Sequence, residues 1–203
     1  PGRIPIREDG ADRGARPRSG TDGAHEWTGY IPIDQLPTQL DPTSGYIVTA
    51  NNAAVDAGYP YFVASEWDPG YRAARVIELI EAETDQGGLS IDETAGIQND
   101  TRIGRADRVR SHLSGIEAAT PDGREVLAQI GSWDGQADVD RVGASAYCAF
   151  EYRLLRGLFD DELGDLAREY VGGGASWQAM IGLLDQPGAD WWNDVSTTGR
   201  KES

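Results

Sequence analysis

"SGYIVTANNAAVDAGYPYFVASEWDPGYRAARVIELIEAE", residues 44–83, changes its hydrophobic period partway along. From Gly45 to Ala50 the run Tyr46, Ile47, Val48, Thr49 is β-branched and aromatic, with apolar residues on both faces. That pattern predicts a strand buried on both sides. It stops at Asn51 and Asn52. Past Pro69, which can open a helix, Ala73, Val76, Ile77 and Ile80 recur on one face and Arg72, Arg75 and Glu78 on the other. A strand followed by an amphipathic helix, with mostly helical patterns beyond, predicts an α+β chain that is predominantly helical.

Working outward, residues 8–24 are charged and Gly-rich without periodicity and predict an exposed loop. Prolines at 32, 37 and 42 forbid a helix between, so Trp27, Tyr30, Ile31, Ile33 and Leu36 should pack from an extended segment. Toward the C-terminus, Ser90-Ile91-Asp92-Glu93 has capping-box form and predicts a short helix. Ile103, Ala106, Leu113 and Ile116 mark another, and Thr120-Pro121 starts a third through about Ile130. A long helix is expected from about Val139 to Leu158, with Val142, Ala146, Tyr147, Phe150 and Leu154 inward. Gly172-Gly173-Gly174 should end the helix after that, and Trp177 to Leu184 should form one more. The expected organisation is an extended part over 1–60 and a mainly helical part over 61–203. No internal repeat is visible.

Composition removes several classes. With 34 acidic against 18 basic residues the net charge is −16, which repels a phosphate backbone and argues against nucleic acid as a partner. No run of about eighteen apolar residues offers a membrane span, and the first residues lack the basic-then-apolar pattern of a signal segment, so no membrane partner is expected. The single cysteine, Cys148, rules out an internal disulfide framework and a multi-cysteine zinc site. Set in "AYCAFEY", it reads as a packed thiol. His25 and His112 read as surface histidines. The sequence contains no G-x-S-x-G, no Walker-type phosphate loop and no G-x-G-x-x-G. Asp134, Asp138 and Asp140 lack the spacing of a calcium loop and read as an acidic turn, and Asp160-Asp161-Glu162 as the charged end of a helix. No metal ligand set emerges. The Asn51-Asn52 pair has two readings: a strand-ending turn, or a side-chain amide delivered to a site where negative oxygen develops.

"GYIPIDQLPTQLDPTSGYIVTANN" (29–52) and "YPYFVASEWDPGYRAARVIELI" (59–80) resemble the penicillin acylase family of N-terminal nucleophile hydrolases. The likeness continues in family order through "IQNDTRIGRADRV", "SWDGQADVDRVGASAY" and "LFDDELG", and "GRIPIR" at 2–7 fits the segment ahead of them. The resemblance implies a four-layer α/β/β/α sandwich and an amidohydrolase that cleaves N-acyl amides, penicillin-like or related, through an acyl-enzyme. In the family a precursor processes itself, and the serine exposed at the start of the large subunit attacks the amide with its own α-amino group as base. A backbone N–H and an asparagine side chain hold the oxyanion. The "TANN" motif carries that role to Asn51. Arg72, in "GYRAAR", falls where the family has an arginine that positions catalytic groups and substrate; its other reading is a helix-face neighbour of Arg75.

The same resemblance places the chain, over its full 1–203, as an internal segment of the large subunit. Both ends read as interior: Pro1 has no initiator Met before it, and Lys201-Glu202-Ser203 follow a Trp-rich turn. The nucleophile and the small subunit then lie outside the chain, which alone should be inactive. The remaining parent segments and the small subunit become expected partners, and self-association of the isolated chain is expected too. No cofactor is expected. Calcium, bound by some members near the stretch between Tyr59 and Trp67, finds no ligands to assign here. Periplasmic or secreted localisation is suggested by the resemblance alone. The rival class is a non-catalytic helical interaction module on the same scaffold.

Overall fold

The computed structural model describes residues 2–7, 16–85 and 87–197. Residues 8–15 of the expected loop and the Lys201-Glu202-Ser203 end lie outside the described residues; residues 16–24 are exposed, as expected. The chain divides into two compact units, Pro1–Ile77 and Glu78–Ser203.

In the first unit β1 (Pro5–Arg7) pairs antiparallel with β2 (Trp27–Tyr30), Pro5 opposite Tyr30 and Ile6 opposite Gly29. The register shifts before Arg7, which faces Trp27. Thr28 is thus an extra residue, and its hydroxyl donates to the Ile6 carbonyl. Ile31 continues the pairing, its N–H donating to Ile4 O at 2.9 Å, and is buried. The other apolar residues expected to pack from this segment behave differently: Trp27, Tyr30 and Ile33 are exposed and Leu36 is half-buried. The prolines permit one turn of 3₁₀ helix, Ile33–Gln35, after Pro32.

The strand expected over Gly45–Ala50 does not form a ladder: these residues are bend or irregular, and the strand pairing among the described residues joins β1 to β2. Burial alternates along it, with Tyr46, Val48 and Ala50 half-buried and Ile47 and Thr49 exposed. It is therefore not buried on both sides in this structure. A strand is completed by a neighbour's N–H and C=O groups, which a β-branched run does not by itself supply. Helix α1 (Tyr71–Thr84) follows, burying Ala73, and crosses the boundary between the units.

The α-helices that lie within the second unit, among the described residues, are α2 (Ile91–Gln98), α3 (Ala106–Leu113), α4 (Pro121–Ser132), α5 (Val142–Leu163), α6 (Ala167–Tyr170) and α7 (Gly174–Leu184). Both halves of the capping box at α2 form: the Glu93 N–H donates to Ser90 Oγ at 3.2 Å, and the Ser90 N–H to Glu93 Oε2. Thr120 caps α4 through the Gly123 N–H, with Pro121 in the first turn. Helix α5 lays Gly143, Ala144, Tyr147, Glu151, Leu155, Leu158 and Phe159 along one buried face, spaced by threes and fours. Val142, expected inward, is exposed because it is the first residue of α5; the adjacent Gly143 makes the contact instead. Cys148 is exposed, against the packed position expected, because one residue past the fully buried Tyr147 turns it about 100° round the helix. Asp160, Asp161 and Glu162 end α5 as expected. The core joins Val109, Ile130, Trp133, Tyr147, Leu155, Leu158, Phe159 and Met180. Among the described residues no helix is long and apolar enough to cross a membrane.

Candidate active site

The candidate residues lie inside the first unit, where the run Tyr46–Ala50 meets the start of α1. Asn51 ends the run in left-handed backbone, φ 62°. Asparagine adopts this conformation more readily than other residues with a Cβ. Its carbonyl accepts from the Asp68 N–H at 2.8 Å, which ties the end of the run to the turn before α1. Asp68 Oδ1 accepts from the Gly70 N–H at 3.1 Å, and Gly70, at φ 88°, starts the helix through its carbonyl bond with the Ala74 N–H.

Arg72 stands one residue inside α1, its side chain 60% exposed. Its Nη2 donates to Ala50 O at 2.9 Å, to Asn51 Oδ1 at 2.8 Å and to Asp68 Oδ2 at 3.1 Å; Nε donates to the same Asp68 oxygen at 3.3 Å. The sequence-predicted pair is thus in direct contact, and Arg72 is turned to the loop rather than to Arg75. A guanidinium has no acceptor, so the atom that meets it must be the amide oxygen. Asn51 Nδ2 consequently points away from Arg72, and no described residue accepts from it.

Asn52 differs. Its Oδ1 accepts from the Ala50 N–H at 3.0 Å and its Nδ2 donates to Ala53 O at 3.3 Å, so both ends of the amide are used in the local turn. Of the two asparagines, Asn51 is the one whose Nδ2 has no acceptor among the described residues. Asp68 was not singled out from sequence. The available signals were its place before Pro69-Gly70 and its i,i+4 spacing to Arg72.

The other titratable groups are engaged elsewhere. His112 Nδ1 lies 2.9 Å from Arg108 O, and Arg108 pairs with Asp185, whose carboxyl that guanidinium holds below the usual range. His25 is half-buried in its loop. Burial, then the Glu151 charge, pushes the Cys148 thiol up, the wrong direction for a nucleophile. Arg141 lies within 4 Å of Asp134, Asp138 and Asp140, balancing that acidic turn. Between Tyr59 and Trp67, the Tyr59 and Tyr61 hydroxyls donate to Gln35. Among the described residues no group of three or more His, Cys, Asp or Glu could hold a metal ion.

The penicillin amidase family model matches residues 1–203. Penicillin acylase 2 proenzyme of a Pseudomonas species is 35% identical over 156 residues, covering 76% of this chain and 19% of that protein. Acyl-homoserine lactone acylase QuiP of Pseudomonas aeruginosa is 26% identical over 226 residues, covering 99% and 26%. A thermostable penicillin G acylase from Alcaligenes faecalis superposes with TM-score 0.54 at 22% identity, over 87% of this chain and 31% of that one. This last likeness bears on fold alone, and it bears out the α+β, helix-rich class expected from sequence. The chain spans about a fifth to a quarter of the curated relatives it matches. With the family model matched from end to end, the chain belongs to the penicillin amidase family, a family of amide-hydrolysing enzymes.

Proposed function

We propose that the chain is a segment of a penicillin acylase-type amidohydrolase that cleaves N-acyl amides through an acyl-enzyme, and that Asn51 donates its Nδ2–H to the oxyanion. The observation that carries this reading is the bond from Arg72 to Asn51 Oδ1. A terminal amide rotates about its last torsion with little preference, so an unheld Asn51 would present oxygen and nitrogen in turn. Arg72 fixes the oxygen and leaves the donor outward. Only a donor already oriented stabilises negative charge without a reorganisation cost during the reaction. Arg72 acts in this scheme as an orienting residue. The nucleophile and the second oxyanion donor come from the remainder of the parent protein, as does whatever selects the acyl group. The relatives' names cover penicillin and acyl-homoserine lactone acylases, so the proposed substrate class is an acyl group on the amine of a small ring compound.

The test is substitution in the full-length enzyme. Asn51→Gly is cleaner than Asn51→Ala, because glycine keeps the left-handed backbone while alanine adds strain there. It should lower kcat by about a hundredfold to a thousandfold with KM nearly unchanged, since the oxygen is fully charged only in the transition state. Asn52→Ala should leave kcat within a few-fold. Maturation is scored separately by gel, because self-cleavage passes through a similar intermediate. Matured Asn51→Gly with near-normal kcat would reduce Asn51 to a turn residue.

A further inference from the structure

We infer that Asp68 is a positioning residue for the oxyanion donor, acting on Asn51 along two routes that meet at one amide. This rests on the reading of Asn51 as that donor. The first route is through the backbone: the Asp68 N–H holds the Asn51 carbonyl at 2.8 Å and so helps keep Asn51 in left-handed geometry. The second is through Arg72. Asp68 Oδ2 takes both Nε–H and Nη2–H from the same edge of the guanidinium. With that edge occupied, the remaining Nη2–H is directed at Ala50 O and Asn51 Oδ1. The carboxylate is itself immobilised, since its other oxygen accepts from the Gly70 N–H and only 24% of the side chain is exposed.

Without this anchor a long, 60% exposed arginine would sample many rotamers, and Asn51 would lose its fixed orientation. Freed from its partner, Arg72 would also be a net positive charge near the oxyanion, which opposes the loss. At this exposure that charge is well screened, and positioning dominates.

Steady-state kinetics on the matured full-length enzyme, per titrated active site, separate the possibilities. Asp68→Ala should lower kcat about tenfold to a hundredfold with KM within about twofold. Asp68→Asn keeps one acceptor oxygen, which can serve the Arg72 edge while the Gly70 N–H loses its partner, and should recover part of that loss. The loss with Asp68→Ala should not exceed that with Asn51→Gly, and the double variant should be no slower than Asn51→Gly alone. If Asn51→Gly is near normal, the donor reading falls and this inference falls with it. If Asn51→Gly is slow while Asp68→Ala keeps normal kcat and loses only thermal stability, this inference alone is overturned. Additive losses in the double variant overturn it as well, because Asp68 would then act by a route other than Asn51. Should Asp68→Ala fail to mature, Asp68→Asn carries the test: it should lose about threefold to tenfold in kcat alone and nothing further on top of Asn51→Gly, and additivity there would overturn the inference.

Discussion

Glu151 is buried in the middle of α5, only 5% exposed, and two side chains neutralise and satisfy it. Arg105 grips it in a fork, Nε to Oε1 at 2.7 Å and Nη2 to Oε2 at 2.8 Å, and the Tyr147 hydroxyl donates to Oε1 at 2.7 Å. The guanidinium also lies over the Trp177 ring, 4.0 Å from its centroid. Burial first, then the Glu151 charge, pushes the Tyr147 hydroxyl well above its ordinary range, so it stays a donor at any working pH. Removing the carboxylate would strand a half-buried cation and a buried hydroxyl. Glu151→Ala should therefore cost about 3–5 kcal/mol, read as a lowered urea midpoint, whereas Glu151→Gln, which still accepts, should cost less. This network was not legible in the sequence. Tyr147 was expected inward from its period, but a glutamate four residues on reads as solvent-facing until Arg105, 46 residues away in sequence, is brought beside it.

At the scale of elements, α5 and α4 approach each other at Gly143, where an added Cβ would lie 2.4 Å from Trp133 Cβ and 2.9 Å from Gln129 O. Backbone sets that limit, so no rotamer change relieves it. Gly143→Ala should destabilise by about 1–3 kcal/mol or more through forced separation of the helices. Gly157, in the same helix, faces open space, with nothing within 4 Å of where a Cβ would stand, and Gly157→Ala should stabilise by about 0.4–1 kcal/mol. Opposite signs on one helix, measured by thermal unfolding, are the check. The helices themselves were readable because an α-helix satisfies its own backbone and shows its buried face as a period. Thus Ser90-x-x-Glu93 and Thr120-Pro121 located two starts within a residue. The run Tyr46–Ala50 reads as a strand by composition, but no ladder forms there among the described residues, because the partner of a strand is written elsewhere in the sequence. β1, three residues long, gave no pattern of its own. At the candidate site the sequence reached Asn51 and Arg72 through resemblance, while the i,i+4 spacing of Asp68 to Arg72 allowed their pairing without revealing the Asp68 N–H bond to Asn51 O, and the local turn bonds of Asn52 had no spacing signal.

At the scale of the whole molecule the two units are unequally provided with interior. The helical unit has a connected core from Ala106 to Met180, whereas in the first unit the buried apolar residues, among those described, are Ile31 and Ala73. There, Trp27, Tyr30, Ile33 (77% exposed), Leu40 (87%) and Ile47 (56%) face solvent. Solvent-facing apolar residues in such number are what a surface destined for cover looks like. The isolated chain should therefore self-associate through its first unit. Net charge −16 opposes this, so association should strengthen as salt screens the repulsion and weaken at low ionic strength. Sedimentation velocity across a salt series reads the trend, and Ile47→Lys, which places a charge at an exposed apolar position, should shift the chain toward monomer without changing the unfolding of the helical unit. A monomer at every salt concentration, with one sharp transition for both units, would instead mean that the first unit holds together without cover.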